Sequence, residues 1–371
     1  MEKLKKLGFG CMRLPMLDVE NNQVDMKQFC KMVDTFMARG FRYFDTAYMY
    51  HMYQSEIFVK EALVNRYPRE SFLLADKLPT MYLKSVEDNK RIFDEQLEKC
   101  GVDYFDYYLL HCLDEDNYAK VKEFQSMDFV RQMKAEGRIK KLGFSFHDTA
   151  EFLEEILQEI GEDIEFVQLQ INYLDWESES VQSRKCYEVC QKYHKPVIVM
   201  EPVKGGKLVD IPQEGIDLLK AQDKNMSVAS WAIRFVASLD DVFMVLSGMS
   251  TWQQLEDNLS YMEDFKPLTK EEVEMTFKVA KIINDTTAIA CTDCNYCKEN
   301  CPMQIQIPEI FALYNNEKRF GNASGSKKKY QDMVKKHAKA SECIGCRSCE
   351  GHCPQHLQIV ENLKIIAQEF E

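Results

Sequence analysis

Long apolar runs, excess positive charge and a nucleotide-type glycine fingerprint are all missing from this chain. No apolar stretch approaches the length needed to cross a bilayer, and the opening MEKLKKLGFGCMRLP has charges but no run of secretory length. The chain is therefore read as cytoplasmic, without a membrane partner. Lys and Arg number 47 against 60 Asp and Glu, a net charge of −13. That balance argues against a nucleic-acid partner, whose phosphates would be repelled. No G-x-G-x-x-G opens a helix after the first strand-like run, which disfavours a doubly wound dinucleotide sheet. What is present is ordinary globular composition: 371 residues, 45% hydrophobic and 29% charged, enough for a large domain and a smaller one.

Up to about residue 265, short apolar runs alternate with amphipathic stretches. The runs at 7–12, 42–45, 72–77, 106–111, 139–145, 166–170, 196–200 and 242–247 predict strands. Stretches such as 26–39, 85–100, 118–136, 150–160, 178–193, 228–238 and 252–262 predict helices. Runs apolar on both faces suit buried parallel strands. Eight βα units in about 250 residues predict an α/β fold of the (β/α)₈ TIM-barrel type over residues 1–268. Residues 269–371 read as a smaller, mainly helical domain, opening with a helix at 270–285 and continuing with another at 307–314. G-N-A-S-G-S at 321–326 reads as a mobile loop. Lys327, Lys328, Lys329, Lys335, Lys336 and Lys339 read as a solvated helix face, with a dock for an acidic electron carrier as the alternative.

Cysteine, by contrast, is plentiful: 14 residues, eight of them in two copies of one pattern. Cys291, Cys294, Cys297 and Cys301 form C-x-x-C-x-x-C-x-x-x-C before Pro302, and Cys343, Cys346, Cys349 and Cys353 repeat it before Pro354. Thiolates at this spacing hold [4Fe–4S] clusters, three ligands coming from one motif and the fourth from the other. The expected ligand sets are Cys291, Cys294, Cys297 and Cys353 for one cluster, and Cys343, Cys346, Cys349 and Cys301 for the second. A zinc site would show paired C-x-x-C knuckles instead, and a disulfide framework would need an oxidising compartment. The six scattered cysteines read as buried free thiols.

In a barrel, chemistry sits at the C-terminal ends of the strands. There the sequence places Asp45 in F-D-T-A with Tyr50 five residues on, Lys77 in L-L-A-D-K, and His111 in Y-Y-L-L-H. Ser145 follows in G-F-S and Gln168 in V-Q-L-Q. Taken in order, this series resembles the aldo-keto reductase superfamily through about residue 265, and the tail resembles its iron–sulfur branch. The resemblance implies NAD(P)H-linked reduction of a small carbonyl, or oxidation of an alcohol. It makes Tyr50 the general acid, Lys77 and Asp45 its charged support, and His111 the group that orients the carbonyl. An ammonium beside a phenol lowers its pKa, and a neutral imidazole can stabilise developing negative charge. Ser145 and Gln168 would hold the nicotinamide carboxamide, and Asp257 and Asn258 would contact adenine.

The sequence departs from that pattern at the dinucleotide. Gly248 and Gln254 stand where the family often has a Lys and an Arg for the 2′-phosphate, which leaves NAD and NADP both open. Met200 stands where an aromatic shelf is frequent, and Phe146 where Asn is frequent. The tail is similar to the helical ferredoxin type. Tyr48, Met49, Met52, Tyr53, Met81, Tyr82, Tyr173 and Trp176 are candidates for an apolar substrate pocket or for ordinary rim packing. Clusters move single electrons while hydride moves two together. That mismatch motivates a flavin at the barrel mouth or in a partner, and a ferredoxin or flavoprotein as electron partner. The competing reading is an electron-transfer or docking protein whose barrel is a binding scaffold.

Overall fold

The computed structural model describes residues 4–19, 21–179, 181–320 and 325–371. The expected loop at 321–326 lies outside the described residues except for Gly325 and Ser326. Eight barrel strands occur at the eight apolar runs: β1 Leu7–Gly10, β2 Tyr43–Asp45, β3 Leu73–Leu78, β4 Phe105–Leu113, β5 Ile139–Phe146, β6 Phe166–Gln170, β7 Val197–Met200 and β8 Val242–Gly248. Every neighbouring pair is parallel, and β1 pairs with both β2 and β8, closing the ring. A short antiparallel hairpin, Met16–Asp18 with Gln23–Val24, follows β1 and was not signalled by any apolar run.

Strand alternation decides which side chains enter the barrel. Tyr43, Ala75, Leu109, Phe166, Ile198 and Met244 form one buried interior cluster. Tyr107 joins it, its ring 5.0 Å from that of Tyr43 and 5.2 Å from that of Phe166. Such rings fit because glycine faces them. A Cβ on Gly143 would stand 2.6 Å from the Phe166 ring, and one on Gly8 would stand 2.8 Å from Leu246. Two residues further along the same faces come Asp45, Lys77, His111, Gln168 and Met200. The apolar layer is thus the floor beneath a polar layer at the strand ends.

Helices surround the ring, and several begin at side-chain caps. Asp25, Thr149 and Thr251 accept from the backbone N–H of Gln28, Phe152 and Gln254, starting Met26–Ala38, Ala150–Ile160 and Trp252–Met262. Each such cap stabilises its helix by about 1 kcal/mol. The single helix expected at 118–136 is two, Glu115–Glu123 and Ser126–Ala135, with Gln125 between them at φ +53°. Buried Asn89 holds the break. Its Nδ2 donates to Phe124 O at 2.8 Å, and its Oδ1 accepts from Ser126 Oγ at 2.7 Å.

The chain groups into two compact units. One comprises Met1–Glu177, Gln182–Pro202 and Ala229–Thr269; the other comprises Ser178–Val181, Val203–Val228 and Lys270–Glu371. The second unit is helical. Ile307–Phe320, Ser326–Met333 and Ile359–Phe370 pack Ile310, Phe311, Tyr330, Leu363 and Ile366 into a core of their own. Segment 203–228, inside the stretch whose sequence reads as barrel, groups with this unit and carries the helix Gln213–Gln222. The clustered lysines from Lys327 to Lys339 are exposed. Among the described residues no helix is long and apolar enough to cross a membrane.

Candidate active site and cluster cradles

Lys77 is wholly buried at the end of β3, where water cannot solvate its ammonium. Two oxygens replace that water. Nζ donates to Asp45 Oδ1 at 2.7 Å and to Thr46 O at 2.6 Å. The same nitrogen lies 5.1 Å from the centroid of the Tyr50 ring. Burial raises the Asp45 carboxyl, and the Lys77 charge opposes that rise. Its second oxygen, Oδ2, is buried without a hydrogen-bond partner among the described residues.

The Tyr50 ring stands edge-on to His111, with centroids 6.3 Å apart. Sequence reasoning predicts a Tyr50 pKa lowered by Lys77. The surroundings do the reverse: burial, followed by the nearby Asp45 charge, pushes the phenol well above its ordinary range. Tyr50 therefore holds its proton at neutral pH, and Lys77 is placed to stabilise a phenolate only as one forms. Burial and the Lys77 charge hold His111 well below the ordinary imidazole range, so that it is neutral. Its Nδ1 is buried without a partner among the described residues.

A bulge aims His111. The next residue, Cys112, has φ +59°, and the β4–β5 register shifts between Leu110 and Leu113. A non-glycine residue in that region is strained and needs outside support. Thr80 Oγ1 donates to His111 O at 2.6 Å, Cys112 N donates to Ser145 Oγ at 2.7 Å, and Asn117 Nδ2 donates to Cys112 O at 2.9 Å. Ser145 thus braces the histidine as well as lining the site.

The loop bearing Tyr50 is fixed by a residue that sequence reasoning missed. Leu14 N donates to His51 Nε2 at 3.2 Å, and His51 Nδ1 lies 3.1 Å from Asn22 Oδ1. Burial lowers the His51 pKa to about 4, so the ring is neutral and can accept at one nitrogen while donating at the other. His51, Met52 and Tyr53 all have positive φ, and this clamp holds the strained turn next to Tyr50. No spacing rule signals such a contact.

On the opposite wall Ser145 and Gln168 are register partners. Gln168 Nε2 contacts Met200 Sδ at 3.4 Å, and its Oε1 is buried without a partner among the described residues. An orphaned buried acceptor fits an amide N–H, as a nicotinamide carboxamide would supply. At the other end, Asn258 is spent inside the chain: Nδ2 donates to Ser247 Oγ at 2.7 Å, and Oδ1 accepts from Tyr261 Oη at 2.5 Å. Asp257 precedes it, half-buried, on the helix Trp252–Met262. Gln254 turns back to accept from Ser250 N at 2.7 Å. Beside Gly248 lies Arg13, so close that a Cβ on the glycine would sit 3.1 Å from Arg13 Cβ. The aliphatic stem of Arg13, from the loop after β1, thus packs against the loop whose own sequence lacks a cation.

Of the candidate pocket aromatics, Tyr173 and Trp176 pack against Phe235, at 6.2 and 5.6 Å between centroids. Tyr173 is fully buried, so its role is core packing. Tyr48, Tyr53 and Tyr82 form a chain of ring contacts, with Met52 exposed beside it.

Behind Lys77, on the outer face of β3, two buried carboxyls meet. Asp76 and Glu56 are both inaccessible, and Lys99 Nζ lies 3.5 Å from Glu56. Burial pushes both above the carboxylate range; the Asp76 charge adds to the rise of Glu56, while the Lys77 backbone N–H, the Lys77 charge and the Glu56 hydrogen bond hold back part of the rise of Asp76. The pair therefore keeps a proton in the fold that the unfolded chain gives up near pH 4. The pair's contribution to folding stability is then largest at acid pH, and falls as pH rises until the folded pair also loses that proton. Glu56→Gln removes this term. Its melting temperature is expected to change less than that of the wild type between roughly pH 5 and 9. Parallel melting curves across that range would contradict the assignment.

In the helical unit the eight motif cysteines line two cavities. One is bordered by Cys291, Cys294, Cys297 and Cys353; the other by Cys301, Cys343, Cys346 and Cys349. The fourth cysteine of each motif faces the other motif's cavity, the crossed arrangement that ferredoxin-type spacing gives. Among the described residues no three Cys, His, Asp or Glu side chains are gathered closely enough for a single metal ion. Four thiols spread round a cavity fit a cubane better than zinc.

Residues 6–281 match the family model described as aldo/keto reductase family. The chain belongs to that family. Residues 290–358 match a second model, a 4Fe-4S dicluster domain, making this an aldo/keto reductase with a C-terminal iron–sulfur domain. It is similar to a probable aldo-keto reductase 1 of Glycine max, 27% identical over 151 residues, 38% of this chain and 42% of that protein. The chain thus spans less than half the length of that relative. It is also similar to the NADH-specific methylglyoxal reductase of Escherichia coli K12, 22% identical over 306 residues, 69% of this chain and 89% of that one. A solved aldo-keto reductase from Klebsiella pneumoniae in complex with NADPH shares the fold with a TM-score of 0.60 and 19% identity, over 75% of this chain and 91% of that one.

Proposed function

We propose that this aldo/keto reductase interconverts a small carbonyl compound and its alcohol with NAD(P)(H), using Tyr50 as general acid, and exchanges single electrons through two [4Fe–4S] clusters. The observation that carries the reading is the buried Lys77–Asp45 pair beneath a protonated Tyr50 that faces neutral His111. The nicotinamide, when bound, supplies or takes the hydride. Tyr50 gives its proton to the carbonyl oxygen, and the Lys77 ammonium stabilises the phenolate left behind. His111 donates its ring N–H toward the same oxygen, fixing its direction and sharing its developing charge. Gln168 and Ser145 orient the carboxamide, and Arg13 supplies the cation for a dinucleotide phosphate. The motif cysteines would hold the clusters, which when bound would supply one-electron chemistry. The relative from Escherichia coli, named for NADH, and the neighbour holding NADPH support a nicotinamide cofactor without choosing between the two. Tyr50→Phe is the test: turnover of small aldehydes and ketones unchanged by it would overturn the acid assignment.

A further inference from the structure

The two cysteine cavities differ in what surrounds them. The one bordered by Cys301, Cys343, Cys346 and Cys349 is otherwise lined by Pro302, Met303 and aliphatic side chains, with Arg347 at its edge. Arg347 is exposed and already paired, at 2.7 Å with Glu350 and 3.4 Å with Glu361. The cavity bordered by Cys291, Cys294, Cys297 and Cys353 has buried polar groups instead. Thr292 and Gln355 line it, 1% and 4% exposed, and Thr292 Oγ1 and Gln355 Nε2 have no hydrogen-bond partner among the described residues.

A third residue sets the direction of that amide. Lys204, 2% exposed, donates from Nζ to Gln355 Oε1 at 2.7 Å. An ammonium only donates, so it takes the carbonyl end and leaves the NH₂ as the unsatisfied group. The backbone is strained to deliver this side chain: Lys204 has φ +48°, followed by Gly205 at +63° and Gly206 at +95°. Two orphaned buried donors lining the same cavity need an acceptor there, and Lys204 fixes which end of the Gln355 amide is offered to it. A cluster on four thiolates provides it, being a dianion when oxidised and a trianion when reduced. Buried donors and cations favour the more negative state, and hydrogen bonds to cluster sulfurs and net charge are known determinants of potential.

We propose that Lys204, Thr292 and Gln355 form an electron-holding cradle that raises the reduction potential of the cluster on Cys291, Cys294, Cys297 and Cys353 above that of the other. The proposal rests on the two-cluster reading. The step moves one electron: the cluster on Cys301, Cys343, Cys346 and Cys349 is oxidised, the cradled one is reduced, and no bond or proton changes hands. Cys346 is exposed, so the second cluster is the one open to an outside one-electron carrier. Electrons entering there collect on the cradled cluster.

The test is an anaerobic potentiometric titration, followed by electron paramagnetic resonance, of the cluster-loaded full chain. Dithionite serves as reductant. Wild type is expected to show two one-electron waves, and Lys204→Met to lower the higher one alone. Lys204→Arg, which keeps the charge, should leave it near the wild-type position. Cys294→Ser identifies the moved wave by altering the signal of its own cluster. Thr292→Val and Gln355→Leu should each lower the same wave, and they carry the test should Lys204→Met fail to load. The proposal is overturned by waves that stay in place in the loaded variants, or by movement of the other wave. Iron and sulfide for a single cluster would instead overturn the two-cluster reading, which separates the two failures.

Discussion

Tyr50→Phe is expected to lower carbonyl turnover by about 10²–10⁴, the usual contribution of a positioned general acid. Dinucleotide affinity should be unchanged, because the residues proposed to hold the carboxamide, Ser145 and Gln168, are on β5 and β6 and keep their own contacts. The substitution removes one oxygen and leaves the ring against His111 and over Lys77, so stability should change little. The loss belongs in kcat more than in KM, because the proton moves only as the alkoxide forms. A variant with turnover intact would show that another group protonates the product. His111 is too far below the neutral range to be the substitute acid, being held there by burial and by Lys77.

The second large effect is on folding. Lys77→Met leaves the Asp45 carboxylate buried with its charge uncompensated, and Asp45→Asn does the same to Lys77. Breaking a buried pair from one side costs about 3–5 kcal/mol. Removing both partners leaves no unpaired charge, so Asp45→Asn with Lys77→Met should be more stable than either single variant. Chemical denaturation of the four proteins measures this directly. Additive losses would mean that the two residues are not energetically paired. Turnover should stay low in the double variant, since the ammonium beside Tyr50 is gone while the fold is restored. Stability and activity then separate, as expected of a charge pair that serves the reaction.

Much of this was legible in the chain because the information is periodic and local. Apolar runs marked the eight strands, and a step of two along each strand carries the interior floor to Asp45, Lys77, His111 and Gln168. Cysteine spacing likewise implied the crossed grouping round the two cavities. What escaped the sequence depends on contacts between distant segments. Arg13 reaches Gly248 from the far end of the barrel sequence, and His51 clamps its loop to Leu14 and Asn22. Lys204 follows soon after a barrel strand, yet hydrogen-bonds beside the cysteine motifs. The Tyr50 pKa misled for a different reason. A neighbouring cation is visible as a residue type, whereas the depth of burial that outweighs it is a property of the packed site. The break at Gln125 depends on Asn89, from another helix, and no local propensity encodes it.

The central claim is that one chain joins a hydride site to single-electron clusters, and one anaerobic titration tests it. NADH or NADPH is added to the cluster-loaded protein, isolated with any flavin it binds and with no other carrier present, and the cluster absorbance is followed. Bleaching by at least one reduced dinucleotide, to the extent reached with dithionite, is the predicted result. Full bleaching by dithionite with none from either dinucleotide would contradict the account, leaving a reductase barrel and an electron carrier that share a chain but not their electrons.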